Sequence, residues 1–155
     1  MKSLLLSGAL FAATLVPLST VSAHEAPCPY CSKPITQDTA TQDNEVALKY
    51  GRKRIEYKCV YCALAEAKTE YPNGDLSILA PSEKKGEPVI LKRNGGKWAA
   101  TPASAVFVSN SPLKHKACDA QARAFTTEAA AKAYIAKTGL DTSPLTLAQM
   151  LERAK

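Results

Sequence analysis

Val46-Ala47-Leu48-Lys49-Tyr50-Gly51-Arg52-Lys53-Arg54-Ile55-Glu56-Tyr57-Lys58-Cys59-Val60-Tyr61-Cys62 is the stretch that decides the fold. Polarity alternates from Val46 to Tyr50 and again from Arg54 to Lys58, on either side of Gly51-Arg52-Lys53. That pattern predicts two short strands joined by a tight turn. The chain then passes through a C-x-x-C into Ala63 to Glu70, a stretch that favours helix. A cysteine pair at a strand-to-helix junction lies beside free backbone N–H groups, which stabilise thiolates.

A second pair, Cys28-Pro29-Tyr30-Cys31, lies upstream in a proline-rich loop, with 27 residues between Cys31 and Cys59. One C-x-x-C turn presents both sulfurs to a single ion, and two such turns complete the four-thiolate tetrahedron that zinc favours. Knuckle, hairpin and helix in that order are a treble-clef layout. Cys28, Cys31, Cys59 and Cys62 are therefore the candidate metal ligands.

Outward from this module, the first 23 residues read as an export signal: Lys2, the apolar run Leu4 to Val16, Pro17, then the small-residue site Val21-Ser22-Ala23. Cleavage after Ala23 predicts a periplasmic or secreted protein beginning at His24. The rest of the sequence has no apolar stretch long enough to span a bilayer. Of the 155 residues, 20 are Lys or Arg and 14 are Asp or Glu, a formal net charge of +6. The basic runs Arg52-Lys53-Arg54, Lys84-Lys85, Lys92-Arg93 and Lys114 to Lys116 are dispersed among acidic residues and read as solvated faces, with no nucleic-acid signature. A chain of this size buries roughly two thirds of its unfolded surface and folds without staples, so the cysteines call for another explanation.

Tyr71-Pro72-Asn73-Gly74-Asp75 is a cluster of breakers. It divides the chain into the cysteine module, residues 24–72, and an α/β-looking remainder, residues 73–155, of the same compact unit. There Leu76 to Leu79 and Pro88 to Lys92 read as strands, Asn94-Gly95-Gly96 as a hairpin turn, Lys97 to Ala100 as its return and Ala105 to Val108 as another strand. Thr127 is the expected N-cap of a helix with Ala130, Ala133, Tyr134 and Ala136 on its apolar side, ending at Gly139. A shorter helix follows Pro144 through Leu147, Met150 and Leu151. The expected fold class is α+β: a treble-clef-like four-cysteine module joined to a small, mainly antiparallel sheet with C-terminal helices.

The fifth cysteine, Cys118, stands three residues after His115, and that spacing brings both side chains to one side of a turn. The flanking Lys114 and Lys116 would lower the thiol's pKa, so His115 and Cys118 are candidates for a second or transfer site. His24 would chelate copper through its amine and ring if it begins the mature chain. Tyr30, Tyr57, Tyr61 and Trp98 read as packing around the knuckles or the small core. Cys28 to Cys31 has the letters of a glutaredoxin motif, but only His24 to Pro27 would precede it, too little for the core strand that motif requires. No Ser-His-Asp set, P-loop, dinucleotide motif or acid–base carboxylate pair is readable, and nothing marks an enzyme.

Two segments resemble known families. Cys28-x-x-Cys31-Ser32-Lys33-Pro34-Ile35, Lys49 to Lys53, Ile55 to Cys59 and a helix ending at Tyr71-Pro72 resemble the YHS/TRASH type of small metal-binding module, associated with heavy-metal sensing and copper handling. Trp98 to Val108, His115-Lys116-Ala117-Cys118, Arg123 to Ala130 and Gly139 resemble the NosL-like copper accessory family of nitrous-oxide reductase maturation. This chain has paired cysteines where that family has a Cys-Gly-Met, and no lipid-attachment cysteine. The resemblance therefore implies an α/β fold and carriage of a soft metal in the cell envelope, not nitrous-oxide reductase maturation itself. Thiolate and imidazole ligands suit Cu(I) as well as Zn(II). The expected function is an exported copper or zinc carrier, a metallochaperone with an envelope metalloprotein as recipient. Two alternatives stay open. One is a thiol-disulfide oxidoreductase with Cys59 as nucleophile; the other is a protein-binding module scaffolded by zinc or by disulfides, which an oxidising compartment favours.

Overall fold

The computed structural model describes residues 24–37, 45–109 and 122–154. Its first element pair, β1 (His24–Pro27) and β2 (Pro34–Gln37), is an antiparallel hairpin that encloses the first cysteine pair. The decisive stretch forms the expected hairpin, β3 (Val46–Tyr50) and β4 (Lys53–Tyr57), with Gly51 at φ 58 in its turn. Helix α1 (Val60–Thr69) follows directly, so knuckle, hairpin and helix occur in treble-clef order.

Three further strands, β5 (Leu76–Ala80), β6 (Val89–Asn94) and β7 (Lys97–Thr101), extend the hairpin into a five-stranded antiparallel sheet of order β4-β3-β5-β6-β7. Leu48 of β3 pairs with Ile78 of β5, so one sheet runs across the breaker cluster at Tyr71 to Asp75 and joins the two parts of the sequence. Beyond it, β8 (Val106–Val108) pairs with β9 (Arg123–Phe125), and α2 (Glu128–Thr138) and α3 (Leu147–Arg153) close the chain. The fold is α+β with a mainly antiparallel sheet. β9, at three residues, is too short to leave a periodic signal.

Alternation places Leu76, Ile78 and Ala80 of β5 and Val89 and Leu91 of β6 on one buried face, with Leu48 from β3. Helix α1 lies on that face. Its residues from Val60 to Ala65 are all buried, because Phe107, Leu145 and Met150 join the same core and leave the helix no solvent side along that stretch. Lys68 fastens the layers, its ammonium donating to the Leu151 and Ala154 carbonyls at 2.9 and 2.8 Å at the C-terminal end of α3. That helix starts with a capping box between Thr146 and Gln149.

Two expectations are corrected. The apolar side of α2 is Ala130, Ala131, Tyr134 and Ile135, packed against Val108 and Phe125, whereas Ala133 and Ala136 are exposed. The helix is turned by the large side chains, which bury more area than alanines do. The Lys92-Arg93 run is not a solvated face: the period-2 pleat of β6 turns Lys92 outward and Arg93 inward, where it is 4% exposed. The Arg93 guanidinium donates to the carbonyls of Ala67, Tyr71, Asn73 and Gly74 and lies 5.6 Å from the centre of the Trp98 ring. It thereby satisfies the end of α1 and the turn after it. Gly74 belongs to that turn at φ 84, and a Cβ there would meet the Tyr50 ring at 3.2 Å.

Candidate metal centre

The first knuckle is shaped by its backbone. Cys28 N–H donates to the Lys33 carbonyl at 2.9 Å and Ser32 N–H to the Cys28 carbonyl at 2.8 Å, which Ser32 permits by adopting φ 59. This curls Cys28 and Cys31 onto one side of the turn. The second pair is differently disposed. Cys59 is the N-cap of α1 with extended dihedrals (φ −158, ψ 171), while Cys62 stands in the helix's first turn.

The sulfurs of Cys28, Cys31 and Cys62 all lie within 4.8 Å of one another. Any triangle with sides of at most 4.8 Å has a point no more than about 2.8 Å from each corner, against a metal–thiolate bond of about 2.3 Å. A contraction of about half an ångström per sulfur converts the cluster into a three-thiolate site. Cys59 is set beside this triangle, its Sγ 3.6 Å from Cys62 Sγ, well outside the ~2 Å of a disulfide bond. None of the four is in a disulfide. Cys28, Cys59 and Cys62 are buried and Cys31 is half-buried, so the cluster meets solvent through Cys31.

The electrostatics single out Cys28. A hydrogen bond from Cys62 holds its thiol well down, to about 5; burial opposes the shift, and the backbone N–H groups of Lys58, Cys31 and Tyr30 reinforce it. The Lys58 N–H reaches Cys28 Sγ at 3.4 Å. Burial pushes the Cys31 thiol up, so the resting cluster holds a thiolate at Cys28 and a proton at Cys31. A cation that binds both displaces that proton. Around the sulfurs, the Tyr30 and Tyr61 rings meet edge to face at 5.8 Å, and Tyr57 is 1% exposed. Burial, then the nearby Glu66 and Tyr71, hold the Tyr57 phenol far above its ordinary value, so it stays neutral.

Of the residues that the sequence singled out, Cys28, Cys31 and Cys62 are brought together, and Cys59 is placed against Cys62. His115 and Cys118 lie outside the described residues, as do residues 1–23 with the expected signal; of His24 only the backbone, in β1, is described. Spacing alone could not divide the second pair, because that division depends on where the helix begins. The role of the Lys58 N–H was also invisible, since a backbone donor leaves no mark in side-chain identity.

Fold and site together define an α+β protein with a three-cysteine cluster fit for a soft metal ion. No family model and no curated protein matches the sequence. Among solved structures, the chain is similar to the mercury-bound form of MerB2, with a TM-score of 0.58 at 22% sequence identity. The match covers 72% of this chain and 56% of that one, so this chain spans little more than half of MerB2's length. The likeness is one of fold.

Proposed function

We propose that this chain is an exported carrier of a soft transition metal, with Cys28, Cys31 and Cys62 as the holding ligands and Cu(I) as the preferred ion over Zn(II). The observation that carries this reading is the mutual reach of three thiol sulfurs from two separate elements, the β1–β2 knuckle and α1. Three thiolates satisfy a soft monovalent ion, whereas a structural zinc site requires a fourth ligand. The half-buried Cys31 gives a recipient's ligand access to the bound ion, as delivery to a recipient metalloprotein requires. MerB2, similar in fold, is known in a mercury-bound form, and mercury is likewise an ion of the soft class. Export to the periplasm rests on the leader-like first 23 residues.

The test is Cu(I) titration against a competing chelator for the wild-type protein and its single cysteine-to-serine variants, with metal content measured on protein purified without added reductant. One ion per chain, with affinity falling by about a hundredfold or more in Cys28→Ser and Cys62→Ser, is the expected result. Unchanged affinity in Cys62→Ser would refute the site. N-terminal sequencing of the envelope fraction should begin at His24.

A second reading is favoured by the Cys59–Cys62 sulfur contact of 3.6 Å at a helix start: thiol-disulfide exchange through that pair. Purified protein with no metal and a Cys59–Cys62 disulfide would favour it over the carrier.

A further inference from the structure

Beside Cys59 lies a pocket of about 380 Å³ whose wall includes none of the three clustered cysteines. It opens between the start of α1, the loop after β5 and the strand β9, and its wall includes Cys59, Lys58, Glu83, Arg123, Phe125 and Val60. An ion with a few waters would fill a small fraction of this volume, since one water occupies about 30 Å³. The pocket has the size of an organic ligand site. Its chemistry is amphipathic. Val60 and Phe125 offer apolar surface, and Arg123 brings a cationic group, lying over the Tyr134 ring at 5.6 Å, while the Lys58 ammonium donates to the Pro34 carbonyl at 2.8 Å. Among the described residues of the wall, the carboxylate is that of Glu83, which accepts from the backbone N–H and hydroxyl of Thr126. An organic ligand there meets an apolar wall and, at Arg123, a guanidinium able to pair with an anionic group.

Cys59 belongs to the wall of this pocket and touches the metal cluster, its sulfur 3.6 Å from that of Cys62. It is not one of the three mutually close sulfurs. A thiol that is superfluous to the holding site, yet common to the cluster and a ligand-sized pocket, is placed for transit.

We propose that this pocket docks the soft metal as its complex with a small anionic thiol, and that Cys59 is the first protein ligand to bind the arriving ion. This deepens the carrier reading and rests on it. A metal–sulfur bond forms to Cys59 as one metal–sulfur bond of the complex breaks, and the departing thiolate takes up the Cys59 proton. Cys62 then bonds to the ion and gives up its proton, directly or through water, to Cys59, whose bond to the ion breaks. Cys28 and Cys31 then bond to the ion as its bond to the remaining small thiolate breaks, the coordination rising from two sulfurs to three, and the departing thiolate takes up the Cys31 proton. The metal keeps its oxidation state throughout, and no electron acceptor is involved.

The experiment is rapid mixing of the metal-free full chain with Cu(I)–glutathione, and separately with Cu(I) bound to the uncharged thiol β-mercaptoethanol, together with equilibrium titration. The variants are Cys59→Ser and Arg123→Glu. Serine is a better helix N-cap than cysteine, so Cys59→Ser retains α1. The expected result is that Cys59→Ser keeps its equilibrium affinity within about threefold while uptake from either complex slows by about tenfold or more. Arg123→Glu should slow uptake from the glutathione complex, whose ligands carry additional carboxylates, several-fold more than uptake from the mercaptoethanol complex. Wild-type uptake rates in Cys59→Ser would overturn the proposal. So would a Cys59→Ser affinity loss of about a hundredfold, which would make Cys59 a resident ligand, or equal slowing of both complexes in Arg123→Glu. If the wild-type chain binds no Cu(I) from either complex, the carrier reading itself falls and this proposal with it.

Discussion

Replacing Arg93 by methionine keeps the length and apolar stem of the side chain and removes the guanidinium that closes the end of α1. Four carbonyls lose a charged donor, those of Ala67, Tyr71, Asn73 and Gly74. They do not lose it equally. Asn73 and Gly74 are exposed and Tyr71 is half-buried, so water replaces the guanidinium there and the net loss is small. Ala67 is fully buried, and its carbonyl is left without that donor. A charge-assisted bond of about 1.5–3 kcal/mol at Ala67, together with about 0.5–1 kcal/mol for the contact with Trp98, gives a loss of about 2–4 kcal/mol. That is a large share of the roughly 5–15 kcal/mol available to a domain of this kind. Urea denaturation of the metal-free protein should show the midpoint falling with an unchanged slope. Arg93→Lys should recover about half of the loss at most, because an ammonium lacks the planar fork that reaches several carbonyls at once. Cu(I) affinity measured below the unfolding transition should be unchanged, since Arg93 engages the opposite end of α1 from Cys62. A loss under about 1 kcal/mol would refute the claim that Arg93 closes this turn, because the buried Ala67 carbonyl alone accounts for more than that.

Two pH effects follow from the same geometry. The Cys28 thiol falls from an ordinary 9.0 to about 5 in the fold, so the unfolded chain binds the extra proton between those values. Its contribution is complete above pH 9, declines as pH falls and vanishes below about pH 5; the stability difference between metal-free wild type and Cys28→Ser should therefore grow from pH 5 to pH 9, and a flat difference would contradict the thiolate assignment. Burial raises the Glu83 carboxyl, but the two hydrogen bonds from Thr126, together with its own backbone N–H and the nearby Lys84, hold the group below its ordinary 4.5. Glu83→Gln should lower the thermal midpoint at neutral pH, and the deficit should close as acid protonates the wild-type carboxylate below pH 4.5.

The hairpin from Val46 to Tyr57 and the helix after it were legible because alternation, a Gly-containing turn and a change of period are local signals. The caps at Thr127 and Gly139 were legible for the same reason: Thr127 accepts from Ala130 N–H and Gly139 takes φ 67. What stayed hidden depends on tertiary placement. Arg93 looked like half of a basic pair; only its register in β6, opposite Trp98, sends it under the end of α1. The four cysteines were plain, but their partition into three clustered sulfurs and one neighbour follows from Cys59 being extended and Cys62 helical. The pocket beside Cys59 was invisible because its wall draws on residues as far apart as Val46 and Tyr134.

The three clustered sulfurs hang from two different pieces of chain. Cys28 and Cys31 are carried by a two-stranded hairpin at the N-terminal end of the described chain, and Cys62 by a helix embedded in the main core. A bound ion is therefore a cross-link, and tension applied at β1 is carried in part by metal–sulfur bonds. Such bonds are strong when pulled quickly, yet they exchange with any competing thiol in solution. The hairpin's mechanical attachment is accordingly set by the chemistry of the surroundings: firm while the ion stays, and loosened by thiols that take the ion without the core having to unfold.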